Sequence, residues 1–305
     1  MYRIATAVLF AAGLVSSARA DEPGDMLDKA SSRYANLDKF RVHYKSFGEG
    51  KTAVVFIHGA ACDMTTWRFQ VPAFADQARV ILIDLPGHGQ SDKPKIDYSM
   101  DLFARAIDAV LKEAGVEKVV LVGHSMGVAV VRQFWRLYPK KTAALVAVDG
   151  MIAPLEFPGG EGQLKAQLKA LEGPNYKEVM LKFADLTFSK LSPELRKSMK
   201  AVVASTPQHV ALGSARAMGD PAIWKDDPIK VPVEMILAAA PIWPADYEKQ
   251  VRKLAPQLDF HTMKEVAHCL MLEKPKEFNA LLGEFLKKQG VLKPSEERKR
   301  ERKGS

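Results

Sequence analysis

The apolar run Val119-Val120-Leu121-Val122 passes straight into Gly123-His124-Ser125-Met126-Gly127, and this junction constrains the chain more than any other segment. Consecutive apolar residues bounded by turn residues read as a strand buried on both faces. The spacing predicts a helix over 128–138, with Val131, Phe134, Trp135 and Tyr138 on one stripe and Pro139 as its stop. A G-x-S-x-G pentapeptide between a strand and a helix is a sharp turn. Its glycines leave room for the backbone, and its serine is held out at the end of the sheet. The turn also aims the first N–H groups of the helix at whatever the serine meets.

The rest of the chain repeats this rhythm. Residues 42–47 alternate like a strand before the turn at 48–51, and 53–57, 80–83 and 145–148 are short apolar runs between turn residues. Ser99 is placed to cap a helix whose stripe is Leu102, Phe103, Ala106, Ile107, Val110 and Leu111, and Gly115 ends it. Such alternation predicts an α/β fold: a mostly parallel central sheet with helices on both faces. From about 151 to 228 no strong strand pattern occurs. Helix-like stretches at 163–171 and 176–188 lie among Pro154, Pro158, Pro174, Pro193, Pro207 and Pro221, the pattern of a helical insertion. Strands resume at 231–237 and 258–263, and a helix opened by Pro275 closes the fold. The expected division is 21–150 with 229–292 as the core and 151–228 as the insertion.

The two ends read differently. Met1-Tyr2-Arg3, an apolar stretch from Ile4 to Val15 and Ala18-Arg19-Ala20 form the pattern of a signal peptide over 1–20, cleaved after Ala20. Export to a periplasm or the outside is therefore expected. The stretch is short for a bilayer span, and no other segment is apolar enough, so no stable membrane insertion is expected after cleavage. The formal charge of +8 comes largely from these ends. Arg3 and Arg19 leave with the leader and the tail over 293–305 carries +3, so residues 21–292 hold only +3. That is ordinary, and argues against a nucleic-acid partner. The tail lacks apolar residues and is expected to be solvated and disordered. No H-E-x-x-H or clustered Cys/His spacing points to a metal, and nothing implies a cofactor.

A serine hydroxyl needs a base, a carboxylate to orient that base, and donors for an oxyanion. His268 is the candidate base, on the loop between the last strand and the last helix. His58 and His124 stand before a glycine and a serine, in turns expected to point their rings away from the elbow. The candidate oxyanion donors are the N–H groups of Met126 and Ala60, the latter in the loop after strand 53–57. Asp84 also ends a strand but opens the turn Asp84-Leu85-Pro86-Gly87-His88-Gly89, a structural place for aspartate.

With HGAACDMTTW (58–67), DLPGHGQSDKP (84–94), GHSMG (123–127) and AHCLMLEKPKEF (267–278) in hand, the chain resembles the α/β-hydrolase superfamily from about Phe40 to Lys288. The resemblance implies that 151–228 is a cap roofing the active site. Family members often carry G-x-x-D-P-x-x-P after the strand that is here 231–237. Laid over this chain, that pattern puts Ala240 where its aspartate belongs and Pro241-Ile242-Trp243-Pro244 on its proline half. Two replacements remain open. Asp149 ends strand 145–148, where some haloalkane dehalogenases keep their acid. Asp246 lies a few residues past the usual site. A strand end is the more rigid mount, which favours Asp149.

The function implied is a serine hydrolase acting on an ester or related acyl bond of a small molecule. A serine in place of an aspartate at the elbow disfavours haloalkane dehalogenase and epoxide hydrolase chemistry. Phe157, Phe183, Phe188 and Trp224 are either a hydrophobic substrate lining or simply cap core. A ligand-binding or very slow homologue, a perhydrolase and a carbon–carbon bond hydrolase remain open. Cys62 and Cys269 both fall near the expected active-site rim, either as buried thiols or, in an exported protein, as a disulfide.

Overall fold

The computed structural model describes residues 23–153 and 160–292. The leader 1–20, the tail 293–305, Pro154, Phe157 and Pro158 lie outside the described residues. In chain order, helix α1 (Pro23–Lys29) leads to strands β1 (Arg33–Leu37), β2 (Phe40–Phe47) and β3 (Thr52–Ile57). Helix α2 (Val71–Phe74), β4 (Arg79–Ile83), α3 (Met100–Glu113), β5 (Lys118–His124), α4 (Met126–Leu137) and β6 (Thr142–Val148) follow. Four helices come next: α5 (Gly160–Glu172), α6 (Tyr176–Thr187), α7 (Pro193–Ser205) and α8 (Gln208–Gly219). Strand β7 (Val233–Ala238), α9 (Tyr247–Leu254), β8 (Leu258–Met263), α10 (Leu270–Glu273) and α11 (Pro275–Lys288) complete the described chain.

The strands form one sheet in the order β1-β2-β4-β3-β5-β6-β7-β8. β2 pairs antiparallel with β1 and β4, and the remaining neighbours are parallel. Alternate residues of the central strands feed two cores. Val55, Ile57, Leu121 and Leu145 pack with α3, α4 and α9 on one face. Val54, Phe56, Val122 and Val146 pack with α2, α11 and part of the insertion on the other. A strand covered on both faces has no polar side to show, which is why these runs are continuously apolar.

Local signals sit where the residues require. The Ser99 side chain accepts the Leu102 N–H at the start of α3, and Gly115 takes φ 64° just past its end. α4 begins two residues earlier than the spacing suggests, because the elbow turn opens directly into it. β7 starts at Val233 and not 231, since Pro232 has no N–H to give to a ladder. The sheet also gains β1, joined to β2 by Asp38 (φ 52°) and Lys39. Only Ala35 and Leu37 of β1 are buried, too faint an alternation to read.

Helices α5 to α8 occupy the chain between β6 and β7. The later two bear on the loops after β3 and β4. Thr206 Oγ1–H donates to Ala61 O at 3.5 Å, Thr65 Oγ1–H reaches Met199 Sδ at 3.9 Å, and His209 Nε2–H donates to Lys93 O at 3.3 Å. Among the described residues no helix is long and apolar enough to cross a membrane.

Candidate active site

In an open parallel sheet, ligands meet the loops at the carboxyl ends of the strands. Ser125 follows β5, Ala60 follows β3, Asp149 follows β6 and His268 follows β8, so these candidates share one edge. Three of the five non-glycine residues with positive φ among the described residues are also here: Ala61 (55°), Ser125 (53°) and Asp149 (40°). Each such residue costs about 1–3 kcal/mol and persists only where its surroundings hold it.

For Ser125 the holding is visible. Its N–H donates to Val148 O and its carbonyl accepts the Val128 N–H, both at 3.0 Å. A methyl on Gly123 would run into the Gly127 carbonyl, and one on Gly127 would stand 2.6 Å from Ile57 O. Both glycines of the pentapeptide are thus demanded by close backbone approach. Met126 opens α4, so its N–H has no acceptor within the helix.

The loop after β3 lies against the serine: a methyl on Gly59 would be 3.1 Å from both Ser125 Cβ and His124 Nδ1. Ala60 is the next residue. His58 is tied down beneath it, with Nδ1–H donating to Gly59 O at 2.8 Å and Nε2 accepting the Leu85 N–H at 3.0 Å. Burial pushes the His58 pKa down, so it stays neutral. Asp84 anchors the same region from below, accepting from His43 Nδ1–H at 2.7 Å, Met64 N–H at 2.8 Å and Gln90 N–H at 2.9 Å. Burial works to raise its pKa, but the His43 bond and the other donors outweigh it and hold the carboxyl below the usual range. Asp84 is a buried tie between strand β2, the loop after β3 and its own loop after β4, in line with its turn sequence.

His268 Nδ1–H donates to Asp149 Oδ2 at 2.7 Å. The other oxygen, Oδ1, accepts the Ala238 N–H at 2.9 Å and the Trp243 indole N–H at 3.3 Å. Asp149 is buried, and its own N–H joins the sheet through Ile236 O at 2.9 Å. Asp246 is not brought to His268. It stands exposed just before α9, where Oδ2 accepts Gln250 Nε2–H at 3.1 Å.

The backbone around His268 is clamped. The N–H groups of Ala267 and Cys269 donate to the two oxygens of Glu273 at 2.5 and 3.1 Å. The His268 carbonyl accepts His124 Nε2–H at 2.9 Å, and the two rings lie 4.6 Å apart. The His124 ring therefore does not point away as its turn position suggests. It fills the space between the elbow and the base loop. Burial pushes its pKa well down, so it adds no charge beside His268. With Nδ1 committed to Asp149, Nε2 is the free nitrogen of the His268 ring.

Cys62 and Cys269 are both buried and unbridged. Burial pushes the Cys62 thiol up to about 12 and the Cys269 thiol well above its ordinary value. Of the insertion's aromatics, Phe188 is fully buried core and Trp224 is half-buried, its indole N–H donating to Met218 O at 3.1 Å. Phe183 faces solvent. Trp243 and Glu273 escape sequence reasoning. The first reaches a partner 94 residues away and the second binds main-chain groups, and neither leaves a spacing to recognise.

Comparison with known proteins agrees with the fold. The sequence profile of the alpha/beta hydrolase family matches residues 54–281, and the chain belongs to that family. A 2-hydroxy-6-oxononadienedioate/2-hydroxy-6-oxononatrienedioate hydrolase of Paraburkholderia phymatum is 28% identical over 285 residues, covering 85% of this chain and 96% of that one. The dihydrolipoyllysine-residue acetyltransferase component of an acetoin cleaving system from Cupriavidus necator is 34% identical over 168 residues. That match covers 54% of this chain and 44% of the relative, so it spans less than half of the relative's length. Among solved structures, Est816, described as an N-acyl homoserine lactone degrading enzyme, superposes with a TM-score of 0.69 at 26% identity, over 83% of this chain and all of that one.

Proposed function

We propose that this chain is an exported serine hydrolase that cleaves an ester or related acyl bond of a small, fairly hydrophobic substrate. One observation carries the reading: the bond from His268 Nδ1–H to Asp149 Oδ2 leaves Nε2 free on a ring packed against the residue before Ser125. In the proposed reaction Ser125 Oγ attacks the carbonyl carbon while His268 Nε2 takes its proton. The Ala60 and Met126 N–H groups receive the oxyanion, each worth about 10²–10³ in rate. The proton passes from His268 to the departing alkoxide. Water then attacks the acyl–Ser125 ester through the same base, releasing the acid and restoring the hydroxyl. Met199 and Ala211 of the insertion share an apolar cluster with Ala61, Cys62 and Met64, which supports a hydrophobic acyl group. The leader pattern over 1–20 supports export.

The test is a fluorophosphonate probe with an ester panel of varied acyl length. Rapid labelling that disappears in Ser125→Ala is expected, and a folded wild type that never labels makes the chain a binding protein. The Paraburkholderia relative favours a second reading, an oxo-dienoic acid substrate. Turnover of such an acid in preference to every ester in the panel would select it. For export, N-terminal sequencing of material from the periplasm or medium should begin at Asp21.

A further inference from the structure

The geometry points to Trp243 as the positioning residue for Asp149: its indole N–H locks the plane of the carboxylate so that Oδ2 faces His268. This inference rests on the proposed hydrolase reading and extends it to a residue outside the Ser125, His268 and Asp149 set.

A carboxylate on a short side chain turns about its last bond, and one hydrogen bond to one oxygen leaves it a hinge. Asp149 Oδ1 has two donors of different origin. The Ala238 N–H comes from the end of β7, and the Trp243 indole comes from the loop beyond it. Two donors on Oδ1 and one on Oδ2 leave the group no free rotation. The indole is itself held. Its ring stacks on Tyr247 with centroids 5.2 Å apart at 26°. Tyr247 is buried, and its hydroxyl accepts the Ile152 N–H at 3.2 Å while donating to Ala153 O at 3.2 Å. The stack therefore ties the β7–α9 loop to the segment just past Asp149. Ala240 offers no carboxylate in this loop, so what the loop brings to the site is a donor for an acid mounted elsewhere.

Among the described residues, the ionisable groups beside His268 include His124, Cys269 and Glu273. His124 and Cys269 are kept uncharged by burial, and Glu273 is engaged by main-chain N–H groups. Asp149 is thus the carboxylate bonded to the imidazole, and its orientation governs the ring.

Trp243→Phe removes the N–H and keeps a ring for Tyr247 to stack on, and Trp243→Gln restores an N–H donor. The readouts are kcat and KM on the best ester, fluorophosphonate labelling rate, Tm, and the low-field proton resonance of His268 Nδ1–H. The expected result for Trp243→Phe is a kcat about tenfold lower with KM unchanged, the loss typical of one hydrogen bond to a charged acceptor. The Nδ1–H resonance should move and broaden, Tm should stay near wild type, and Trp243→Gln should recover part of both signals. Wild-type kcat and an unmoved resonance in Trp243→Phe overturn the inference, as does a kcat loss that follows Tm with the resonance in place. The resonance needs no turnover. A wild type that never labels, with a resonance that still shifts in Trp243→Phe, sinks the hydrolase reading and leaves the positioning role standing.

Discussion

Asp149 shows how much a single side chain depends on its mount. Its main chain is in the sheet through Ile236, and its carboxylate has three donors from three separate segments. Asp246, a few residues past the family's usual acid position, makes one exposed contact to Gln250. Asp149→Asn should therefore lower kcat about 10³–10⁴-fold, because an amide cannot hold the imidazole in the required tautomer. Asp246→Asn should leave kcat unchanged, and steady-state kinetics on both variants checks the pair. The preference for Asp149 was legible because a strand end is recognisable from an apolar run followed by Asp-Gly. The indole that turns its carboxylate was not, since a contact between residues 149 and 243 has no period along the chain.

At the scale of elements, β7 combines two demands. Its far end supplies the Ala238 N–H to the site, while near its start Glu234 is buried with both carboxylate oxygens lacking a hydrogen-bond partner. Burial, with Asp259 beside it, pushes the Glu234 pKa up to about 9. In the unfolded chain the group titrates near 4.5. The stability it contributes is therefore fully present below about 4.5 and is lost as pH rises towards about 9. Glu234→Gln keeps the shape and cannot ionise. Its Tm should match wild type near pH 4 and exceed it by several degrees at about pH 8, and thermal melts across that range decide the matter. The strands themselves were readable because each central one is apolar throughout. Edge strand β1 was not, because a strand with two buried side chains resembles a loop.

Taken whole, the molecule encloses its thiols within one of the two cores. Cys62 and Cys269 belong to the same apolar cluster as residues of α11 and of helices α5 to α8, with burial raising both pKa values. The folded protein should react slowly with a thiol reagent at neutral pH, and both cysteines should react at once in denaturant, as a colorimetric thiol assay reads. The insertion was legible as helix from its lack of strand runs, but its bearing on the β3 and β4 loops was not, being made by isolated polar contacts such as Thr206 to Ala61. The chain leaves the sheet for helices α5 to α8 at Gly150, one residue beyond Asp149, and the Tyr247 hydroxyl accepts the N–H groups of Ile152 and Ala153 shortly after it. A chimera that borrows another protein's helices between these two strands must therefore splice beyond Ala153, or the foreign segment will tug on the carboxylate before any ligand arrives.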